Sequence, residues 1–495
     1  MLRYLNYIDG SWVPSASGKT FKSSNPATGE EIGQVTLSTP DDVAAACDAA
    51  TRAYDAWRHT PAPRRGEIVF RAGEIMIRRK DELARLMTME MGKVIKEARG
   101  DVQEAIDMAF YMAGEGRRSF GYTTPSELPN KFAMAVRDPI GVVAAITPWN
   151  FPLAIPGWKI FPALVLGNTV VYKPSCETAI VSAQIVRVLE EAGLPPGVLN
   201  LVQGPGSPVG AALARNPRVT LVSFTGSTDV GRQLMIETAP DMKRLSLEMG
   251  GKNAIIVLDD SDVELAVDGI VWSAFGTSGQ RCTAASRVIV QKGAHDELVR
   301  LLVDRTRKLQ LGNGLDPSVD VGPVINRGQL EKIERYVKIG EQEGAKVVAG
   351  GHVATRDGLS NGSFFEPTIF DGATPTMRIA TEEIFGPVTA IITVDNLAQA
   401  IEVNNDVAYG LSTAIYTRDV NQAFEAMRDI TTGLVYVNAG TIGAEVHLPF
   451  GGTRGTGNGH REAGIAALDV FSEWKTLFVD YSGKLQRAQI DVGIA

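Results

Sequence analysis

GVVAAITPWNFPLAIPGWKIFPALVLGNTVVYK, residues 141–173, holds two short apolar runs on either side of a longer one. Residues 142–146 and 169–172 have the length and β-branched content of strands buried on both faces, and 153–164 has the length of a helix. Strand, helix and strand in succession describe a crossover unit, which forces the two strands to be parallel. From Pro139 to Leu166 the one charged residue is Lys159, so a membrane span comes into question. Five prolines and Asn150 interrupt that stretch. A spanning helix has no water to satisfy broken backbone bonds, so the stretch reads as protein interior.

Outward from this unit the same alternation continues. Strands are expected at 198–202, 219–224 and 244–247, with helices at 178–192, 208–214 and 229–237. A second series has strands at 253–257, 288–290, 346–348, 388–394, 413–416 and 433–437. Its helices are 294–309, 329–343, 397–403 and 420–428. The fold class is therefore α/β, with two Rossmann-like parallel-sheet domains that meet near residues 248–253. The strand ends of such a sheet are a natural dinucleotide site. Before the alternation, residues 1–38 read as short strands and turns. A helix then starts at Thr39, a good cap, followed by Pro40, Asp41 and Asp42, and runs to about Trp57. Two longer helices are expected at 63–91 and 93–118. Strands at 131–137 and 473–481 lie outside both series and predict a small β arm with no core of its own, suited to an oligomer contact. The expected division is 1–120 and 141–249, with a return segment near 448–472, for the first domain. The second domain is 250–447, and the arm is 121–140 and 473–495.

Composition narrows the function classes. The chain has 495 residues, 44% of them apolar and 21% charged, as in ordinary globular proteins. The net charge of −8, with both signs interspersed, argues against a nucleic-acid surface. Cys47, Cys176 and Cys282 are odd in number and far apart, so neither a disulfide framework nor a metal site is indicated. Free thiols fit a reducing cytosol, and residues 1–12 lack the apolar core of an export signal. A cytoplasmic protein with no membrane contact is expected.

Several motifs carry candidate chemistry. Phe275-Gly276-Thr277-Ser278-Gly279-Gln280-Arg281-Cys282 links a helical run to a buried strand and presents a thiol beside a cation, which favours the thiolate. Its ordinary reading is a small buried cysteine beside a surface arginine. Thr147-Pro148-Trp149-Asn150-Phe151-Pro152 places an amide between aromatic residues at a strand end. It is either fastened to backbone or an oxyanion donor. Glu248-Met249-Gly250-Gly251-Lys252-Asn253 puts a carboxylate after a strand, either as a partner of Lys252 or as a general base. Gly204-Pro205-Gly206-Ser207-Pro208-Val209-Gly210 departs from the usual dinucleotide fingerprint, so it is a glycine-rich turn or a phosphate loop. Phe224-Thr225-Gly226-Ser227-Thr228 opens a helix, where serine and amides could cap the helix or meet a pyrophosphate. Glu382-Glu383-Ile384-Phe385-Gly386-Pro387-Val388 and Leu448-Pro449-Phe450-Gly451-Gly452 complete the set.

Taken together and in this order, the motifs resemble the aldehyde dehydrogenase superfamily over nearly the whole chain, and semialdehyde dehydrogenases within it. The resemblance implies that Cys282 is the nucleophile and that the Asn150 amide and the Cys282 N–H form an oxyanion hole worth roughly 3–4 kcal/mol per donor. It also implies that Glu248 activates water for hydrolysis of a thioester, giving a free acid without coenzyme A. The implied NAD or NADP lies along Thr147, Trp149, Lys173, Ser175, Cys176, Gly206, Gly226, Ser227 and Met249, with Glu383 and Phe385 by the nicotinamide ribose. Arg281, Phe151 and Phe450 are the expected substrate contacts. Arg117-Arg118 belongs either to the substrate tunnel or to a solvated helix end. Where members preferring NAD carry a glutamate three residues after Lys173, this chain has Cys176, which leaves NADP use open. Arg281 could clamp the distal carboxylate of a semialdehyde acid, or it could serve the thiol or pair with Glu445. A homodimer or homotetramer is expected. The alternative is a thiol hydrolase or acyltransferase using His447 or His460 as base.

Overall fold

The computed structural model describes residues 3–119, 121–356 and 358–490. Met1, Leu2 and the last five residues of the expected arm lie outside the described residues.

The opening stretch folds as its sequence dictates. Val142–Ile146 and Thr169–Lys173 are adjacent parallel strands, joined over the wholly buried helix Ala154–Leu166. Lys159 is buried in that helix and donates to Ser223 Oγ at 3.1 Å and to Glu462 Oε1, so the lone charge is paired inside the protein. Three further strands complete the parallel part of a seven-stranded sheet. Its spatial order is Arg244–Glu248, Val219–Thr225, Val142–Ile146, Thr169–Lys173 and Leu199–Leu201. The chain runs outward from Val142–Ile146 in one direction and then returns to its other side at Val219–Thr225. The strand order therefore reverses there, and the crevice at the carboxyl ends of those two strands is where ligands of such sheets bind. The second seven-stranded sheet runs Lys346–Ala349, Thr368–Asp371, Val388–Val394, Ala285–Gln291, Asn253–Val257, Ser412–Tyr416 and Leu434–Val437.

Neither sheet is wholly parallel as the sequence led us to expect. Asn6–Ile8 and Ser11–Val13 add an antiparallel edge to the first sheet, and Lys346–Ala349 does the same for the second. Such edge strands need no helical crossover, so the alternation of strands and helices shows neither the direction of the strand expected at 346–348 nor that short strands from 1–38 join the first sheet. Thr368–Asp371 was not expected at all; it is four residues long and follows an irregular loop.

The helix from Thr39 is capped as predicted. Thr39 Oγ1 accepts from the Asp42 amide, and the Asp42 carboxylate accepts from the Thr39 amide at 2.7 Å. The single helix expected at 63–91 is two, Ala62–Arg78 and Lys80–Met91. Arg79 leaves helical geometry, and its guanidinium bridges Glu82 at 2.6 Å and Gln184 at 3.0 Å. Apolar spacing continues through that bend, so periodicity alone does not show it. The next helix is Ile95–Glu115, shorter than 93–118. The helix expected at 178–192 is broken at Ala183 into Ala179–Ser182 and Gln184–Glu191, and that at 208–214 becomes Ala211–Arg215 behind a wide turn.

The arm is a three-stranded antiparallel sheet of Ser472–Asp480, Lys131–Pro139 and Tyr122–Pro125. Tyr122, Phe132, Trp474, Phe478, Val479 and Tyr481 are exposed on it. Among the described residues no helix is long and apolar enough to cross a membrane.

Candidate active site

The loop bearing Cys282 is held by many partners. Helix Val263–Phe275 ends at Gly276, and Thr277, Ser278 and Gly279 then take φ of 52°, 54° and 68°. Left-handed geometry in consecutive non-glycine residues costs of order 1–3 kcal/mol each and persists only when the surroundings impose it. The Thr277 amide and hydroxyl both donate to Glu97 Oε2, at 2.8 and 2.7 Å. Ser278 Oγ donates to Gly322 O at 2.7 Å, and Gln280 Oε1 accepts from the Ile325 amide at 2.9 Å. A Cβ at Gly279 would lie 2.1 Å from Gly386 O, so only glycine permits this close approach. Asn253 Nδ2 fixes the Cys282 carbonyl at 2.7 Å.

Arg281 is engaged by groups other than the thiol. Its Nε donates to Thr277 Oγ1 at 2.9 Å, its Nη2 lies 3.6 Å from Glu97 Oε1, and its plane stands 4.9 Å from the Trp272 ring. Its acidic neighbour is Glu97 and not Glu445, which faces His447 at 3.3 Å. Burial, then the Glu248 and Glu383 carboxylates, push the Cys282 thiol up to about 12.

Asn150 and Glu248 come from the carboxyl ends of Val142–Ile146 and Arg244–Glu248, and both are buried. Asn150 Oδ1 has no hydrogen-bond partner among the described residues, so that oxygen is not fastened to backbone. Both carboxylate oxygens of Glu248 are likewise unpartnered. The pairing of Glu248 with Lys252 is not made: Lys252 Nζ is itself buried without a hydrogen-bond partner among the described residues, and burial holds it down to about 7. Burial and the neighbouring Glu462 raise Glu248 well above the usual carboxylate range, against Lys159 and Arg461. A buried carboxyl with free lone pairs and a raised pKa is matched to proton transfer near neutral pH.

Two hollows meet at the thiol. The larger, about 290 Å³, is walled by Phe151, Trp158, Glu248, Trp272, Arg281 and Phe450 among others. Phe450 stands edge-on to Trp158 at 4.9 Å. The second, about 210 Å³, is a cleft lined by Trp149, Asn150, Gly226, Ser227, Glu383 and Phe385 among others. Cys282 and Met249 line both. No histidine among the described residues lines either, which removes the base that a thiol hydrolase requires.

The cleft fits a dinucleotide on its own geometry. It opens at the reversal of strand order, onto the N-terminus of helix Thr228–Thr238, whose cap is Ser227. Phe385, at φ 61°, stands edge-on to Trp149 at 5.4 Å. Glu383 accepts from the Gly251 amide at 2.9 Å. Thr147, Lys173, Ser175, Cys176 and Gly206 do not line the cleft; they follow the carboxyl ends of the neighbouring strands. Thr147 Oγ1 is turned to the Tyr172 hydroxyl at 3.2 Å. Lys173 is buried, donates to Pro174 O at 2.8 Å and is held down to about 8 by burial. Ser175 Oγ caps the short turn Cys176–Thr178, accepting from the Glu177 amide. Cys176 borders a separate hollow with Glu177 and Arg327.

Sequence reasoning missed Gln329 and Lys332, which line the cleft from helix Arg327–Gln342. Gln329 Nε2 donates to the carbonyls of Ile384 and Phe385, at 2.9 and 2.7 Å. Polar residues on an amphipathic helix look like a solvated face, so nothing local marks them. Glu104 in the larger hollow was missed for the same reason, whereas Trp158 and Trp272 sit on apolar helices and read as core. Arg117 and Arg118 are an exposed helix end, paired with Glu67 and Glu115, and line neither hollow.

Residues 12–477 match the aldehyde dehydrogenase family. The alpha-ketoglutaric semialdehyde dehydrogenase of Bacillus subtilis is 44% identical, over 96% of this chain and 98% of that protein. The glutarate-semialdehyde dehydrogenase of Pseudomonas putida is 39% identical over 97% and 98%. The crystal structure of betaine aldehyde dehydrogenase from Staphylococcus aureus in complex with NAD+ superposes with a TM-score of 0.95 at 36% identity, covering 97% of this chain and 96% of that one.

Proposed function

This chain belongs to the aldehyde dehydrogenase family and oxidises an aldehyde to the carboxylic acid with NAD(P)+; from that premise we propose that its substrate is a small semialdehyde with a distal carboxylate. The observation that carries the reading is the position of Cys282 on the wall shared by the two hollows, with an arginine in the larger one. At about 290 Å³ that hollow falls at the small end of ligand pockets, roughly 300–1,000 Å³, which suits a short acyclic aldehyde.

Each residue then has a role. Cys282 gives up its thiol proton to solvent and its Sγ adds as the thiolate to the aldehyde carbon, and the Asn150 amide with the Cys282 N–H holds the oxygen that becomes negative. When bound, the dinucleotide supplies the hydride acceptor. The acyl group left on Cys282 is a thioester. Glu248 takes a proton from the water that adds to it, and the collapse expels the Cys282 thiolate and the acid. Arg281 clamps the distal carboxylate, while Phe151 and Phe450 pack on the chain between. Trp149, Gly226, Ser227, Met249, Glu383 and Phe385 hold the nicotinamide half. Thr147, Lys173, Ser175, Cys176 and Gly206 follow the adenosine half, and Cys176 in place of a carboxylate leaves NADP acceptable.

The cofactor domain is 1–120 and 141–249 with the return 448–472, and the catalytic domain is 250–447. The arm joins copies into a homodimer or homotetramer, and the enzyme works in the cytoplasm. The support for this part is the sheet division and the exposed aromatic residues of the arm. The test is kcat/KM for acidic and neutral aldehydes of equal length, with both cofactors, in wild type and Arg281→Leu. A wild-type enzyme with no preference for the acid would refute the substrate assignment.

A further inference from the structure

Helix Ile95–Glu115 forms one wall of the larger hollow and brings Glu97, Asp101 and Glu104 to it, at the spacing of a single helix face. Two of these carboxylates are engaged by the protein, although Glu97 Oε1 has no hydrogen-bond partner among the described residues. Glu97 Oε2 accepts twice from Thr277, and Asp101 accepts from Lys93 Nζ and from the Ala154 amide, both at 2.8 Å. Glu104 is half-buried and has no hydrogen-bond or ion-pair partner among the described residues. Arg281 also keeps donors in reserve. Among the described residues its one side-chain hydrogen bond is from Nε, and 3.6 Å from Nη2 to Glu97 exceeds hydrogen-bond length, so both terminal nitrogens can still donate. Trp272 and Phe151 flank the guanidinium and orient that free edge.

We propose that Glu104 is a specificity-determining residue: its carboxyl O–H donates to the distal carboxylate of the substrate beside the Arg281 guanidinium. A carboxylate accepts up to about four hydrogen bonds, and a fork plus a hydroxyl supplies three of them in a pocket poor in water. A cationic group at the same place would meet Arg281. This inference rests on the acidic-aldehyde reading above.

The surroundings of Glu104 keep its proton on. Burial acts first and Asp101 second, with Asp107 adding to them; Lys93 and Arg281 act the other way, and the balance pushes the group up to about 8. The other charges nearby are committed elsewhere. Lys159, from the helix packed against this one, is paired with Glu462, and Lys96 with Asp320 at 3.3 Å. Glu248 and Cys282 face the same hollow from across it. As pH rises past its ionisation, Glu104 loses the donor and repels the bound carboxylate. Acidic aldehydes then bind less well while neutral ones do not.

The test is the ratio of kcat/KM for an acidic semialdehyde to that for a neutral aldehyde of the same length, followed from about pH 6 to about pH 10. Taking the ratio cancels titration of Cys282 and Glu248, which act on both substrates. In wild type it should fall roughly 10- to 100-fold, the worth of a hydrogen bond to a charged group. Glu104→Gln should hold the low-pH value throughout, because an amide donor does not titrate. Glu104→Leu should be low at every pH, and dinucleotide binding checks that both variants are folded. A wild-type ratio flat with pH, or a Gln variant that falls in step with wild type, overturns the proposal. An acid preference that is flat with pH but lost in Arg281→Leu defeats the role of Glu104 alone. No acid preference at low pH defeats the substrate reading as well. Growing preference for a trimethylammonium aldehyde at high pH would overturn both and make Glu104 the counter-charge of a cation.

Discussion

At the scale of single residues, the site is defined by polar groups left without partners. Glu248 is buried with both oxygens unpartnered, a costly state that an apolar residue would avoid. If it activates the hydrolytic water, Glu248→Gln should still give a stoichiometric burst of reduced cofactor in a rapid-mixing experiment, followed by turnover slowed about 10²–10⁴-fold. Loss of the burst in a folded variant would move Glu248 to activation of the thiol. Cys282 has the converse property. Its thiol is held up to about 12, so its proton comes off only as pH rises. Alkylation of the cofactor-free enzyme by iodoacetamide should therefore accelerate throughout the alkaline range. A rate that levels off near neutral pH would show a thiolate already formed. A third quantity belongs to Cys176, which the proposed function sets beside the adenosine ribose. With no carboxylate there to repel a 2′-phosphate, Cys176→Glu should shift the kcat/KM ratio toward NAD by about 1.5–3 kcal/mol. An unmodified enzyme that already prefers NAD strongly would contradict this.

At the scale of elements, the nucleophile loop illustrates how position is purchased with strain. Thr277, Ser278 and Gly279 are left-handed in succession, held by Glu97 from a helix far away in sequence and by Gly322 and Ile325 from a later loop. Gly279→Ala would drive a methyl group onto Gly386 O and push the loop away. We expect a loss of at least about 10²-fold in kcat, the scale of a 1 Å misplacement of a reacting group. Cofactor affinity measured by fluorescence titration should stay within about twofold, since the cleft is built mainly by other strand ends. An unimpaired kcat would show that the loop tolerates displacement.

At the scale of the whole molecule, residues that follow strands of both large sheets line the hollows at the thiol, and the arm is a separate three-stranded sheet. Ser472–Asp480 pairs with Lys131–Pro139 along nine residues, yet Phe478 and Trp474 remain 62% and 45% exposed. Clustered exposed aromatic residues on a small sheet point to a partner surface. Phe478→Asp should lower the mass measured by light scattering while circular dichroism stays unchanged. An unaltered mass would place the oligomer contact elsewhere.

What the sequence determined by itself is what local chemistry controls. Buried strands must be apolar and helices must be capped, so Val142–Ile146, Thr169–Lys173 and the Thr39 cap were legible. Cys282, Asn150 and Glu248 stood out because each lies at or shortly beyond the end of an element in a recognisable motif, and the structure brings all three to the two hollows that meet at the thiol. The tertiary structure alone decided which charges meet. Arg281 turned to Glu97, from a helix almost two hundred residues earlier, and left Glu445 to His447. Gln329 and Lys332 joined the cleft from a helix that reads as solvated, and Glu104 came to face the hollow with no hydrogen-bond or ion-pair partner among the described residues. Ion pairing and desolvation depend on distances through space, and spacing along the chain carries almost no information about them.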